Sequence, residues 1–202
     1  MDYYRKRKIV EVVKKFWDFL WNGTSFLSWI SFLIIIFVFI KFIFFPTLSF
    51  IFGTSLPIVI VESCSMYHDY DFNDWWEKNK EWYGAINIEK EEFDGFPLKN
   101  GFNKGDIFFI IGTSYEKIKL GDVIIFDNVQ SKRPIIHRVV SLAPLETKGD
   151  NNIAQIPFEI DIDHNSILGK ATFVRIPFIG WIKLIFFELL RPESDRGFCW
   201  WN

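Results

Sequence analysis

The sequence predicts a mainly β, antiparallel domain carried behind one N-terminal transmembrane helix, with a small helix and loop subdomain inserted in it. Three observations predict this. A single apolar stretch of membrane length stands near the N-terminus. Beyond it, short β-branched runs are punctuated by Gly, Asp, Asn and Pro. Residues 67 to 104 interrupt those runs with a segment dense in Trp, Tyr and acids.

The apolar stretch covers residues 26 to 45 and is stopped by Pro46. About 20 residues at a rise of about 1.5 Å cross a hydrocarbon layer of about 30 Å. Lys41 is its one charge, near the far end, where a four-carbon stem carries the ammonium to the headgroups. Arg5, Lys6, Arg7, Lys8, Lys14 and Lys15 precede the stretch, and no charge follows it before residue 58. That bias predicts a basic cytoplasmic tail at residues 1 to 25, an anchor at 26 to 45 and an extracytoplasmic domain at 46 to 202. The run is too long and bulky for a cleaved signal, and no Ala-x-Ala follows it. Ile9, Val12, Val13, Phe16, Phe19 and Leu20 stand at helical spacing within the tail, an amphipathic extension that sets topology or an interfacial helix. At the other end, residues 179 to 190 are apolar but too short and charged to span; they dip into the outer leaflet or cap the core.

The composition agrees with this division. The chain has 202 residues and a formal charge of −2, enough for one domain plus an anchor. Half the residues are hydrophobic and 19% aromatic, an excess that a membrane absorbs better than a modest core. Without a global basic field, nucleic acid is excluded as a partner. Two cysteines, Cys64 and Cys199, are too few for a disulfide framework, so no stabilising bridge is expected.

Strands are expected at residues 56–61, 106–111, 122–126, 135–142 and 171–176. Gly105-Asp106 and Gly121-Asp122 open two of them with the same turn chemistry. The insertion at 67 to 104 is expected to form short helix and loop, its aromatics packing against the membrane surface or over a cleft. Asp69 and Asp71 alternate there, but no twelve-residue calcium loop closed by Glu is present, so no metal is expected.

Three local patterns carry chemistry. Glu62-Ser63-Cys64-Ser65-Met66 follows the apolar stretch closely. Later come Pro134-Ile-Ile-His137-Arg138-Val-Val and Thr147-Lys-Gly149-Asp150-Asn151-Asn152. A serine hydroxyl needs a base within hydrogen-bond reach and a third group to hold that base in the right tautomer. His137 alone among three histidines sits in an apolar strand; His68 and His164 lie in polar loops and are expected to be exposed. Lys132, in the polar turn from Gln130 to Pro134, reads as a solvated lysine rather than the base of a Ser-Lys pair. Cys64 would point away from Ser63 and Ser65 in an extended segment, which leaves Ser65 as the nucleophile. Asp150 is the orienting carboxylate expected from this set, and its surroundings also have turn composition.

The order Ser65, His137, Asp150, each in its own context, resembles signal peptidase I of the archaeal and eukaryotic type, which uses histidine where bacterial relatives use lysine. The resemblance covers roughly the whole chain outside 67 to 104, a connection that is far shorter in the family. It implies a coiled antiparallel peptidase sheet, Ser65 as nucleophile, His137 as base, Asp150 as orienting acid, and Ser63 joining the Ser65 amide in an oxyanion site. Cys64 stands where the family usually has glycine. A second aspartate common shortly after the Gly-Asp-Asn-Asn motif has no direct match; the next acids are Glu159, Asp161 and Asp163.

The implied activity is removal of signal peptides from exported preproteins at the membrane surface, with no cofactor. The implied partners are secretory preproteins, membrane lipid and the protein-translocation channel. A maturation protease of the same fold acting on other precursors is the enzymatic alternative. A non-catalytic surface scaffold is the other, and it would be expected to have lost Ser65, His137 or Asp150.

Overall fold

A computed structural model describes residues 2–128 and 133–201, in two compact units, Met1–Ile51 and Phe52–Asn202. Lys132 and its neighbours 129 to 131 in the polar turn lie outside the described residues.

In the first unit, helix α1 spans Asp2–Asn22, as the apolar spacing of the tail predicts. Val13, Phe16, Trp17 and Trp21 are exposed on it. Ser25 then caps the next helix, its side chain accepting from Ser28 N at 3.2 Å. That helix, α2, runs over Phe26–Phe52 without interruption, past Pro46. A proline inside a helix lacks an N–H and crowds the carbonyl four residues back. Here the turn immediately before it, Ile40–Phe44, is widened to a π-helix, with Phe45 N donating to Ile40 O. The wider turn accommodates the proline, so the helix continues where the sequence alone predicts a stop.

The second unit is a curled antiparallel sheet of six strands, a half-barrel: β1 Ile58–Ile60, β2 Ile107–Ile111, β3 Val123–Phe126, β4 Ile135–Leu142, β5 Leu145–Lys148 and β6 Ile167–Ile176. Their spatial order is β1-β2-β6-β3-β4-β5. β3 is buried along its whole length. Val123 and Ile125 pack with Val61, Met66, Phe102, Phe108 and Ile110. Ile124 and Phe126 pack on the other side with Ile118, Val139, Leu145 and Ile162, the period-two alternation of a strand with apolar layers on both faces. The two Gly-Asp pairs make the same turn. Asp106 accepts from Asn103 N at 2.9 Å and Asp122 from Lys119 N at 3.0 Å. Gly105 and Gly121 hold φ values of 90° and 83°, which L side chains rarely adopt.

The insertion forms helix α3, Phe72–Ala85, and the short α4, Lys90–Asp94. Asp71 caps α3 by accepting from Asn73 N and Asp74 N. Its largest rings turn inward and do not line the cleft, while Tyr70 is exposed. Trp75, Trp76, Tyr83, Ile88 and Phe93 are buried against one another and against Val140 of β4, a second small core on the outer face of that strand. The reason is area: four large rings bury more apolar surface against each other and the sheet than a flat interface would take. Trp75→Ala is therefore expected to destabilise the protein by about 3–5 kcal/mol, the usual cost of deleting a buried Trp. Denaturant unfolding measures it, and a loss below 1 kcal/mol would contradict the burial.

At the C-terminus, Trp181–Leu184 forms a short helix, α5. Leu184 is fully buried while Ile182, Ile185, Phe186, Leu189 and Leu190 are exposed. The segment caps the core with one side and presents an apolar surface with the other.

Candidate active site

Ser65 lies in the loop that leaves β1, in a turn closed by Tyr67 N donating to Cys64 O at 3.0 Å. Met66 beside it is completely buried and anchors the loop, its carbonyl accepting from Phe102 N at 2.9 Å. His137 is on β4, paired with Ile124 of β3 and 5% exposed. These two elements, 72 residues apart in sequence, bring Ser65 Oγ to 2.8 Å from His137 Nε2. Ser63 is exposed, with its Oγ 3.1 Å from Ser65 Oγ.

The acid facing His137 is Glu159, not Asp150. Glu159 is fully buried, on a single helical turn, Pro157–Glu159. One of its oxygens is hydrogen-bonded to His137 Nδ1, and the other accepts from Ile156 N at 2.8 Å. A carboxylate in this position accepts, so Nδ1 carries the proton and Nε2 is left to accept from the serine hydroxyl. Asp161 and Asp163 do not take this place. Asp161 is exposed, and Asp163 caps the turn His164–Ser166.

Asp150 lies on the opposite side of β4. Neighbouring residues of a strand point to opposite faces, so Arg138 faces away from His137, and Asp150 belongs to Arg138. The guanidinium gives Nε at 2.9 Å and Nη2 at 2.7 Å to the two carboxylate oxygens. Its remaining donors go to the carbonyls of Pro97, Gly121 and Leu98 at 2.7, 3.0 and 2.9 Å. All five donors are used, which a buried arginine requires. His68 Nε2 stands 3.1 Å from Asp150, and the Tyr83 hydroxyl donates to it at 3.3 Å. Burial alone would raise the Asp150 carboxyl, but Arg138 and the His68 hydrogen bond hold it well below the usual carboxylate range. Burial and the Asp150 charge push the Tyr83 phenol well above its ordinary value. Contrary to the expectation of exposure, His68 is buried, stacked on Trp75 with ring centroids 3.8 Å apart. His164 is exposed against Tyr115.

The Gly149-Asp150-Asn151-Asn152 loop touches the Ser65 loop directly. Asn151 N donates to Ser65 O at 2.7 Å, and Asn151 Nδ2 donates to Cys64 O at 3.1 Å. A Cβ on Gly149 would lie 2.9 Å from both His137 Nε2 and Ser65 O. The glycine is thus a matter of space beside the His137 ring and the Ser65 backbone. Gly149→Ala is expected to lower kcat by about 100-fold through displacement of His137 from Ser65, and kcat near wild type would show that the neighbours yield. Lys148, one residue earlier, is buried; burial pulls its ammonium down to about 8, against the opposing charges of Asp150 and Glu159. Its Nζ donates to Gly149 O at 3.1 Å and lies over the rings of Trp82 and Tyr83.

The expectation of two free cysteines also fails. Cys64 and Cys199, 135 residues apart in sequence, form a disulfide with Cα atoms 5.5 Å apart. Folding brings the C-terminal segment back to the Ser65 loop, a proximity that a count of two cysteines does not reveal.

Ser65 and His137 open onto a cleft of about 740 Å³ lined by Ile58, Ile60, Ile135, Ile136 and Phe158 among others. At its rim, Glu62 is ringed by Arg133, Lys183 and Arg191. Partial burial opposes its ionisation, but these three cations hold its carboxyl below the ordinary value. Among the described residues β1 pairs with β2 alone, which leaves its other edge unpaired. Among the described residues, no group of three or more His, Cys, Asp or Glu side chains is placed to hold a metal ion.

No protein-family model matches the chain. It is similar to the signal peptidase complex catalytic subunit sec11 of Sclerotinia sclerotiorum, 31% identical over 104 residues that cover 45% of this chain and 59% of that protein. It is 25% identical over 103 residues to the corresponding SEC11 subunit of Fusarium vanettenii, covering 45% and 59%. With the human subunit SEC11C it shares 24% over 106 residues, covering 44% and 52%. The chain spans a little over half the length of these curated relatives. Over that stretch it is a homologue of the catalytic subunits of signal peptidase complexes.

Proposed function

We propose that this chain is a membrane-anchored serine endopeptidase that removes N-terminal signal peptides from exported preproteins. The observation that carries the proposal is the 2.8 Å approach of Ser65 Oγ to His137 Nε2, with Nδ1 of the same ring on Glu159. Ser65 attacks the scissile carbonyl while His137 takes its proton, and Glu159 holds the imidazole and stabilises its charge. The Ser65 amide and the Ser63 hydroxyl bind the oxyanion, a contribution worth about 2.7–4 kcal/mol per donor in other acyl-transfer enzymes. His137 returns its proton to the leaving amine, and water then hydrolyses the acyl-enzyme by the same base.

An extended peptide adds to the free edge of β1 and lies along the apolar cleft, alternate side chains entering it. The span Phe26–Phe52 is exposed along nearly all its length, a surface that lipid covers and water does not. The basic flank of that span supports an N-terminus in the cytoplasm with Ser65 outside. A disulfide beside the nucleophile belongs in an oxidising, extracytoplasmic compartment. The exposed face of residues 182 to 190 rests in the outer leaflet.

The substrate class is tested by presenting the full-length protein in liposomes with a signal-bearing preprotein and, separately, a pilin-like precursor. Cleavage of the first after small residues is expected. Cleavage of the second alone would make the protein a maturation protease instead.

A further inference from the structure

We infer that the C-terminal segment is a positioning strap for the nucleophile, locked by Cys64–Cys199, so that turnover by Ser65 depends on that bond being oxidised. The inference rests on the proposed Ser65 mechanism. The nucleophile loop is held from two sides by different parts of the chain. Downstream of Ser65, Met66 is buried and bound to Phe102 N, and Asn151 N holds the Ser65 carbonyl. Upstream, Arg133 reaches the Glu62 carboxylate and Asn151 Nδ2 the Cys64 carbonyl, and the remaining side-chain contacts of Glu62 and Cys64 come from the C-terminal segment. Arg191 Nη1 donates to Glu62 O at 2.8 Å and Nη2 to the Glu62 carboxylate at 2.9 Å. Lys183 reaches the same carboxylate at 3.2 Å, and Cys199 is joined to Cys64 itself.

The strap is itself fixed to the body of the domain. Trp181 Nε1 donates to Lys104 O at 3.0 Å. The buried Lys104 ammonium holds Glu188 at 2.9 Å and the carbonyl of Asp195 at 2.6 Å. Gly197 N donates to Glu188 at 2.8 Å, and the Phe198 ring packs on Trp181 with centroids 4.3 Å apart. Glu62 to Cys64 thus hang from a segment more than 120 residues later in the chain, by charge at one end and by a covalent bond at the other. The ionic contacts lie at a partly solvated rim, where such pairs are individually weak. The disulfide is the part that cannot open by thermal fluctuation. Because Cys64 is bonded directly to Ser65 in the chain, freedom at Cys64 becomes displacement of Oγ from His137, and a shift of about 1 Å costs about 100-fold where geometry is exacting.

A dithiol reductant opens the strap by transferring two electrons: its two thiols become a disulfide as Cys64–Cys199 becomes two thiols. The test uses the full-length protein in liposomes, with and without dithiothreitol, at a temperature where the reduced protein remains folded. Two titratable thiols should appear, kcat on a signal-bearing preprotein should fall by about tenfold or more with KM little changed, and amide exchange at residues 62 to 67 should quicken. Reoxidation should restore kcat. The double variant Cys64→Gly, Cys199→Ser should show the lowered kcat and no response to dithiothreitol; it also replaces the thiol if reduction is incomplete. A reduced protein with unchanged kcat and unchanged exchange at 62 to 67 overturns the inference. Absence of cleavage by the oxidised protein would count against the peptidase reading instead, and the exchange rates would still decide the strap.

Discussion

Glu159→Gln is expected to lower kcat on a preprotein by about 10⁴-fold while leaving KM and thermal stability close to wild type. The size is that seen when the orienting acid of a Ser-His-acid site becomes an amide. The cause is the tautomer. A carboxylate accepts from His137 Nδ1 and so leaves Nε2 free to accept from Ser65 at 2.8 Å. An amide offers N–H to Nδ1, which moves the ring proton to Nε2 and points a donor at the serine hydroxyl. Glu159→Asp keeps the charge but shortens the reach, and should fall between the two. Steady-state kinetics beside a thermal melt measures this. A variant with wild-type kcat would show that Glu159 is not the orienting group.

Asp150→Ala should fail differently, by losing about 3–5 kcal/mol of folding stability. Arg138 is fully buried, and without Asp150 its guanidinium keeps three carbonyls but loses its only countercharge among the described contacts. A buried charge left alone costs more than a buried pair contributes. The double variant Asp150→Leu, Arg138→Met should recover part of that loss, because no charge is then stranded. Acid acts on the same pair with a defined sign. The folded-state carboxyl is held below its unfolded value, so its stabilisation is complete above about pH 4 and is lost as pH falls through the lower folded value. Denaturant midpoints at pH 7, 5 and 3 would follow it; a steady loss between pH 7 and 5 must come from other groups.

The contrast between these two acids shows what the sequence could and could not convey. The strands at 58–60, 107–111, 123–126 and 135–142 are legible because each is an apolar β-branched run opened or closed by turn residues. β5, Leu145-Glu-Thr-Lys148, has no such signature and exists because β4 offers it a partner. Ser65 and His137 announce themselves by local motif. The acid does not, since a carboxylate's role is set by which face of β4 it reaches, and Asp150 sits in the more recognisable motif while Glu159 follows an unremarkable Gln-Ile-Pro-Phe. Alternation along β4 does hold the clue: His137 and Arg138 face opposite ways, so one carboxylate cannot easily serve both. The aromatic insertion is legible as helix, but not as a core, because its burial depends on Val140 and on the shape of the curled sheet. Tyr83 and His68, which complete the Asp150 cluster, carry no signal in sequence at all.

Cleavage of a labelled signal-bearing preprotein by the full-length protein in liposomes, with product masses compared between wild type, Ser65→Ala and His137→Ala, is the most direct test of a Ser-His signal peptidase. A single cut at the end of the signal peptide, present with wild type and lost by more than about 10³-fold in both variants, is the predicted result. The same cut persisting in Ser65→Ala would contradict it.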